Sequence, residues 1–133
     1  MTALPSRTAR AATVLLVLAG LAAAVSGVGG VVAALAAGPS TVLVEAWRAY
    51  GLLVFAGIFT LLAFTPQLHL VLWLLAIGHK IAMTVTAAAF PEAADAGVVA
   101  VADGVLSAVL LIAFALAQPW RGRRPVAEST RAR

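Results

Sequence analysis

The chain has 133 residues, 63% of them hydrophobic and 11% charged, with a net charge of +4. A soluble domain is roughly 45–50% apolar and about 25% charged, so a chain with mean hydropathy +1.07 has too little polar surface to cover a soluble core. It also has far too much apolar surface to stay disordered. Cysteine is absent, which excludes disulfides, thiol catalysis and thiolate metal sites. An integral membrane protein remains, and the expected fold class is all-α.

Six prolines, Pro5, Pro39, Pro66, Pro91, Pro119 and Pro125, fall outside the long apolar runs. Proline breaks helix interiors and restricts the residue before it. The runs they delimit cover about 11–37, 42–65, 67–90 and 96–117. A bilayer-spanning helix needs roughly 17–25 residues. Lipid offers no partner to open backbone, and no strand-like alternation is present, so four transmembrane helices are predicted.

The first run follows a basic start and ends near Ala34-Leu35-Ala36, a pattern resembling a cleavable signal peptide. A signal core is usually about 7–15 residues, shorter than this run, so a retained helix is expected. Its Ser26-Gly27-Val28-Gly29-Gly30 stretch reads as a place for close helix packing or a kink. Gly20, Ala24 and Val28 make only a weak small-residue stripe.

Orientation follows from the arginines. Arg121, Arg123, Arg124, Arg131 and Arg133 lie in a C-terminal tail at 119–133, and Arg7 and Arg10 lie in an N-terminal tail at 1–10. The loop at 38–41 has no basic residue, and the loop at 91–97 carries only Glu92 and Asp95. The positive-inside rule then puts both termini in the cytoplasm. With such short loops the expectation is an up-down-up-down bundle at 11–118, each helix packed antiparallel on its neighbour. Trp47 and Tyr50 fit the outer interface, and Trp73 and Trp120 the inner one. The tail arginines have no interleaved aromatic residues, so nucleic acid is not expected as a partner. The 32 alanines, and 8 arginines against 1 lysine, suggest a GC-rich coding sequence and a bacterial plasma membrane.

The chemistry lies in ionisable residues at membrane depth, which are costly and usually face the bundle interior. They are Glu45, Arg48, His69, His79, Lys80 and Asp103. At ~1.5 Å per residue, Asp103 lies ~10 Å below the start of the fourth run, Lys80 ~15 Å above the end of the third, and Arg48 ~9 Å below the start of the second. Glu45, Arg48, Lys80 and Asp103 thus fall in the outer half and sum to zero charge. Two readings stand. In the first these are two satisfied ion pairs, Glu45 with Arg48 at the interface and Lys80 with Asp103 between helices, fixing register. Alternatively these residues, with Tyr50 and His79, line a polar binding pocket in low dielectric. Asp103 and His79 are the catalytic candidates if any chemistry occurs there. The two histidines lie ~15 Å apart on one helix, too far to share a metal. No metal site or cofactor is expected, and no phosphate loop or nucleophile elbow is present.

Four short-looped helices with Glu45-Ala46-Trp47-Arg48-Ala49-Tyr50-Gly51, Gly78-His79-Lys80 and Asp103-Gly104 resemble the DoxX-like group of small bacterial membrane proteins. Arg48-x-Tyr50-Gly51 is the best local match. Some members of that group are associated with quinone-linked sulfur oxidation, but no residue signature here carries that activity over. Small multidrug-resistance transporters share the size, yet depend on a glutamate in the first helix, which here has no ionisable residue at 11–37.

The expected function is an accessory or structural membrane component rather than an enzyme. The first alternative is a binder or transporter of a small hydrophobic molecule such as a quinone or isoprenoid, with Phe55, Phe59 and Trp73 as apolar walls. The second is an intramembrane acid–base enzyme, an isomerase or cyclase. Expected partners are the lipid bilayer, a hydrophobic small molecule, and a second copy or another membrane protein.

Overall fold

The computed structural model describes residues 7–122. Arg123, Arg124, Arg131 and Arg133 of the basic tail, and residues 1–6, lie outside the described residues. Four helices follow in order: α1 (Arg7–Leu35), α2 (Val42–Phe64), α3 (Leu70–Ala89) and α4 (Ala96–Ala117), then a 3-10 turn at Pro119–Gly122. Each of the four is long and apolar enough to cross a membrane, and the described residues contain no strand.

Proline sets where the helices stop. Pro39, Pro66, Pro91 and Pro119 each follow a helix C-terminus, where a ring that blocks α-geometry in the preceding residue is at home. The capping N–H groups of Thr65, Phe90 and Gln118 still reach Leu61, Thr86 and Phe114 at 2.9–3.1 Å. The helix C-termini fall within two residues of the sequence reading, and two N-termini differ by more. Helix α1 begins at Arg7 rather than Ala11, because nothing in Arg7-Thr8-Ala9-Arg10 interrupts helix. Helix α3 begins at Leu70 rather than Gln67, because Pro66 opens a turn closed by Leu68 N–H on Thr65 O at 3.2 Å.

The helices do not all pack on their chain neighbours. Helix α1 lies along α2, α3 lies along α4, α1 also packs on α4, and α2 barely touches α3. This corrects the expectation drawn from loop length. The α2–α3 turn leans toward the end of α4, where Gln67 Nε2 donates to Ala117 O at 2.9 Å. A short loop fixes only the ends it joins.

Helix association in lipid lacks a hydrophobic drive and depends on close van der Waals contact and interhelical hydrogen bonds. The α1–α2 seam has both. A methyl group at Gly27 would lie 2.8 Å from the Leu53 side chain, and one at Gly30 would lie 3.0 Å from Ala49 Cβ. Thr13 Oγ1 donates to Ala63 O at 3.2 Å across the same seam. Gly20, Ala23, Gly27 and Gly30 share the α1 face turned to α2, so Gly27 and Gly30 serve close packing, while Gly29 between them meets nothing within 4 Å. Of the weak stripe Gly20, Ala24 and Val28, Gly20 lies on this seam and Val28 is exposed.

One half of the bundle holds the core. Leu16, Phe59, Leu62, Trp73, Leu110 and Ala113 are fully buried together. They come from the start of α1, the end of α2, the start of α3 and the end of α4. Trp73 is therefore a core residue, not an interfacial one. Its indole N–H donates to Pro66 O at 3.2 Å, and its ring meets Phe114 edge-on at 5.5 Å. The hydrogen bond is what lets an indole sit dry. The other half, where α1 and α3 end, carries the ion-paired Glu45, Arg48, Lys80, Asp95 and Asp103.

Candidate binding groove

Small residues at the α3–α4 crossing let two opposite charges meet. Gly104 of α4 faces Thr84 of α3, and a methyl there would lie 3.6 Å from the threonine. At that close approach Lys80 Nζ donates to Asp103 Oδ1 at 2.6 Å, with both side chains largely buried. The neighbouring hydroxyls do not join the pair. Thr84 Oγ1 donates to Lys80 O at 2.8 Å, and Ser107 Oγ to Asp103 O at 2.7 Å. Each returns to its own helix backbone, as hydroxyls four residues on commonly do.

Phe55 of α2 completes the cluster. Lys80 Nζ lies 4.4 Å from its ring centroid, a cation–π contact worth up to about 2 kcal/mol when desolvated. The His79 ring lies 4.7 Å from the same centroid. These contacts span the sparse interval between α2 and α3.

The pair borders a groove of about 390 Å³. Its walls are residues 19–26 of α1, 52–59 of α2 and 101–106 of α4, with Lys80 reaching in from α3. Ser26, Val101 and Val105 are exposed at its rim. Ligand sites of about 300–1,000 Å³ with apolar walls and a few polar anchors are the norm, and this groove falls at the small end. Phe55 and Phe59 line it as expected, and Trp73 does not.

The four charges Glu45, Arg48, Lys80 and Asp103 fall in two separate groups. Arg48 Nη2 pairs with Glu45 at 2.5 Å and Arg48 Nη1 with Asp95 at 3.0 Å, both half-exposed at the mouth of the bundle. Lys80 and Asp103 form the deeper, buried pair. Tyr50 is exposed on α2 and lines no part of the groove. Among the described residues Asp103 is hydrogen-bonded to Lys80, and the His79 ring lies against Phe55. Among those residues no three histidine, cysteine or carboxylate side chains gather around one point.

Sequence reasoning missed Asp95 as a partner. It sits in αL geometry (φ 61°) at the start of α4, and only the folded loop reveals that it faces Arg48. The available signal was an acid in a short loop opposite an arginine near the same interface.

Family models, curated proteins and solved structures were compared with the chain, and none matches.

Proposed function

We propose that this chain is a four-span protein of a bacterial plasma membrane that holds a small hydrophobic molecule in the groove beside Lys80 and Asp103. The observation that carries the reading is a 390 Å³ apolar groove with a buried ion pair on its wall. Ionisable residues at such depth are retained where they act or bind. The tail arginines and the short acidic loop support an up-down-up-down arrangement with both termini in the cytoplasm. The layout and Arg48-x-Tyr50-Gly51 support a place beside the DoxX-like proteins.

A second reading has its own observation. Lys80 and Asp103 satisfy each other, and no buried side-chain polar atom among the described residues lacks a partner. That suits a structural brace in an accessory subunit, working with a second copy or another membrane protein.

Mass spectrometry of the protein extracted directly into lipid nanodiscs separates the two. A specific co-purifying molecule that is lost in Leu52→Trp, which fills the groove, supports the binder. Bulk lipid alone, unchanged in that variant, supports the brace. A fluorescent-protein fusion at the C-terminus that glows only when cytoplasmic tests the orientation.

A further inference from the structure

We infer that the groove selects a neutral amphiphile, one whose single apolar chain ends in a hydroxyl or carbonyl head, over charged amphiphiles of the same chain. The inference rests on the binder reading above and adds the chemistry of the head.

Charge bookkeeping at the wall carries it. Lys80 and Asp103 are one cation and one anion at 2.6 Å, so the wall has hydrogen-bonding power without net charge. Lys80 has three donors. One goes to Asp103 and one side of the ammonium faces the Phe55 ring. Asp103 accepts on Oδ1, while its Oδ2 receives no hydrogen bond among the described residues. Ser26 places a further hydroxyl at the rim. The wall therefore offers a donor and an acceptor side by side, which a hydroxyl can answer from one atom.

A charged head meets a different balance. An anion at the remaining Lys80 donor stands beside the Asp103 carboxylate, and a cation at Oδ2 stands beside the Lys80 ammonium. Either charged head brings an unbalanced charge into low dielectric and competes with one partner of the buried pair, which is costly to break, whereas a neutral head adds to the pair and leaves it whole. Residues 52–59 give the groove a wall ~10 Å long, enough to hold the head and the first part of an apolar chain.

Photoreactive dodecanol, dodecyl phosphate and dodecylammonium, sharing one chain and one diazirine position, test this on the full chain in phospholipid nanodiscs. The readout is labelling mapped to 52–59 and 101–106, each probe competed by its unlabelled form. The expected result is dodecanol labelling stronger than either charged probe by about tenfold. Asp103→Asn frees Lys80 and should shift preference to dodecyl phosphate, and Lys80→Gln should shift it to dodecylammonium. Should those single variants unfold, the exchange Lys80→Asp with Asp103→Lys keeps a neutral wall and should keep the dodecanol preference. Equal labelling by all three heads, or dodecyl phosphate labelling best in the unaltered chain, overturns the selectivity while leaving a binding groove. Labelling of these residues no stronger than that of lipid-facing Val14 and Val25, for every probe, removes the binder reading itself.

Discussion

Asp95 stands at the start of α4 but gives its carboxylate to Arg48 of α2, at 3.0 Å, rather than to the N–H groups of its own helix. Side-chain capping is worth roughly 0.5–2 kcal/mol, and here it is forgone. What is gained is a tie between two helix pairs whose facing members, α2 and α3, barely touch. Arg48 and Asp95 tie α2 to the start of α4 at the mouth of the bundle. Phe55, under Lys80 and His79, closes the α2–α3 interval deeper in.

Asp95 also holds a left-handed backbone, which aspartate and asparagine tolerate better than most residues. Asp95→Asn keeps the backbone and removes the charge. Since the pair is about half-exposed, its loss should cost under about 1 kcal/mol. Asp95→Ala should cost about 1–2 kcal/mol more, because alanine pays for the left-handed turn. Reversible unfolding in mixed micelles gives both values. Equal stability of the two variants would remove the backbone half of this argument.

The Lys80–Asp103 pair obeys a harsher rule. Removing one partner of a buried pair costs about 3–5 kcal/mol, while replacing both with apolar residues is often neutral or better. Lys80→Met and Asp103→Leu should each destabilise strongly. The double variant should recover most of the loss, as read by the same unfolding assay. A double variant as unstable as the sum of the singles would mean that each charge has other partners.

The sequence reading located the four spans because proline spacing and run length are one-dimensional signals. It also placed Lys80 and Asp103 at compatible depths, which rise per residue decides. What it could not read was facing. Helix α1 is apolar all round and rich in alanine, so nothing in its pattern distinguishes Gly20, Ala23, Gly27 and Gly30 from Gly20, Ala24 and Val28. Arg48 had an acid three residues away, and its second partner depended on how the α3–α4 loop folds back. Tyr50 shared a motif with Arg48 but points off the bundle, because two residues along a helix turn the side chain to roughly the opposite face.

Trp73 offers a direct check of facing. It is fully buried, while Trp47 is 81% exposed. In variants retaining one tryptophan each, brominated lipids should quench Trp47 strongly. They should leave Trp73 nearly unquenched at every bromine depth. Trp73→Phe keeps the ring but leaves Pro66 O without its donor, so a loss of about 1 kcal/mol is expected. Strong quenching of Trp73 by shallow bromines would return it to the interface.

Gly27 and Gly29 set up the sharpest local comparison. They differ by two positions on one helix and share the same intrinsic gain from added helix propensity, up to about 1 kcal/mol for alanine. A methyl at Gly29 meets nothing within 4 Å, whereas at Gly27 it lies 2.8 Å from the Leu53 side chain and 3.2 Å from the Leu53 backbone nitrogen. Leu53 can rotate its side chain away but not its backbone, so α1 and α2 must separate. Overpacking of this kind typically costs about 1–3 kcal/mol. Gly29→Ala should therefore be neutral or stabilising and Gly27→Ala destabilising. Gly27→Ala with Leu53→Ala should regain only part of the loss, because the backbone contact remains. Full recovery would show that the side chain alone set the α1–α2 distance. Equal behaviour of Gly27→Ala and Gly29→Ala would show that α1 does not present Gly27 to α2 at all.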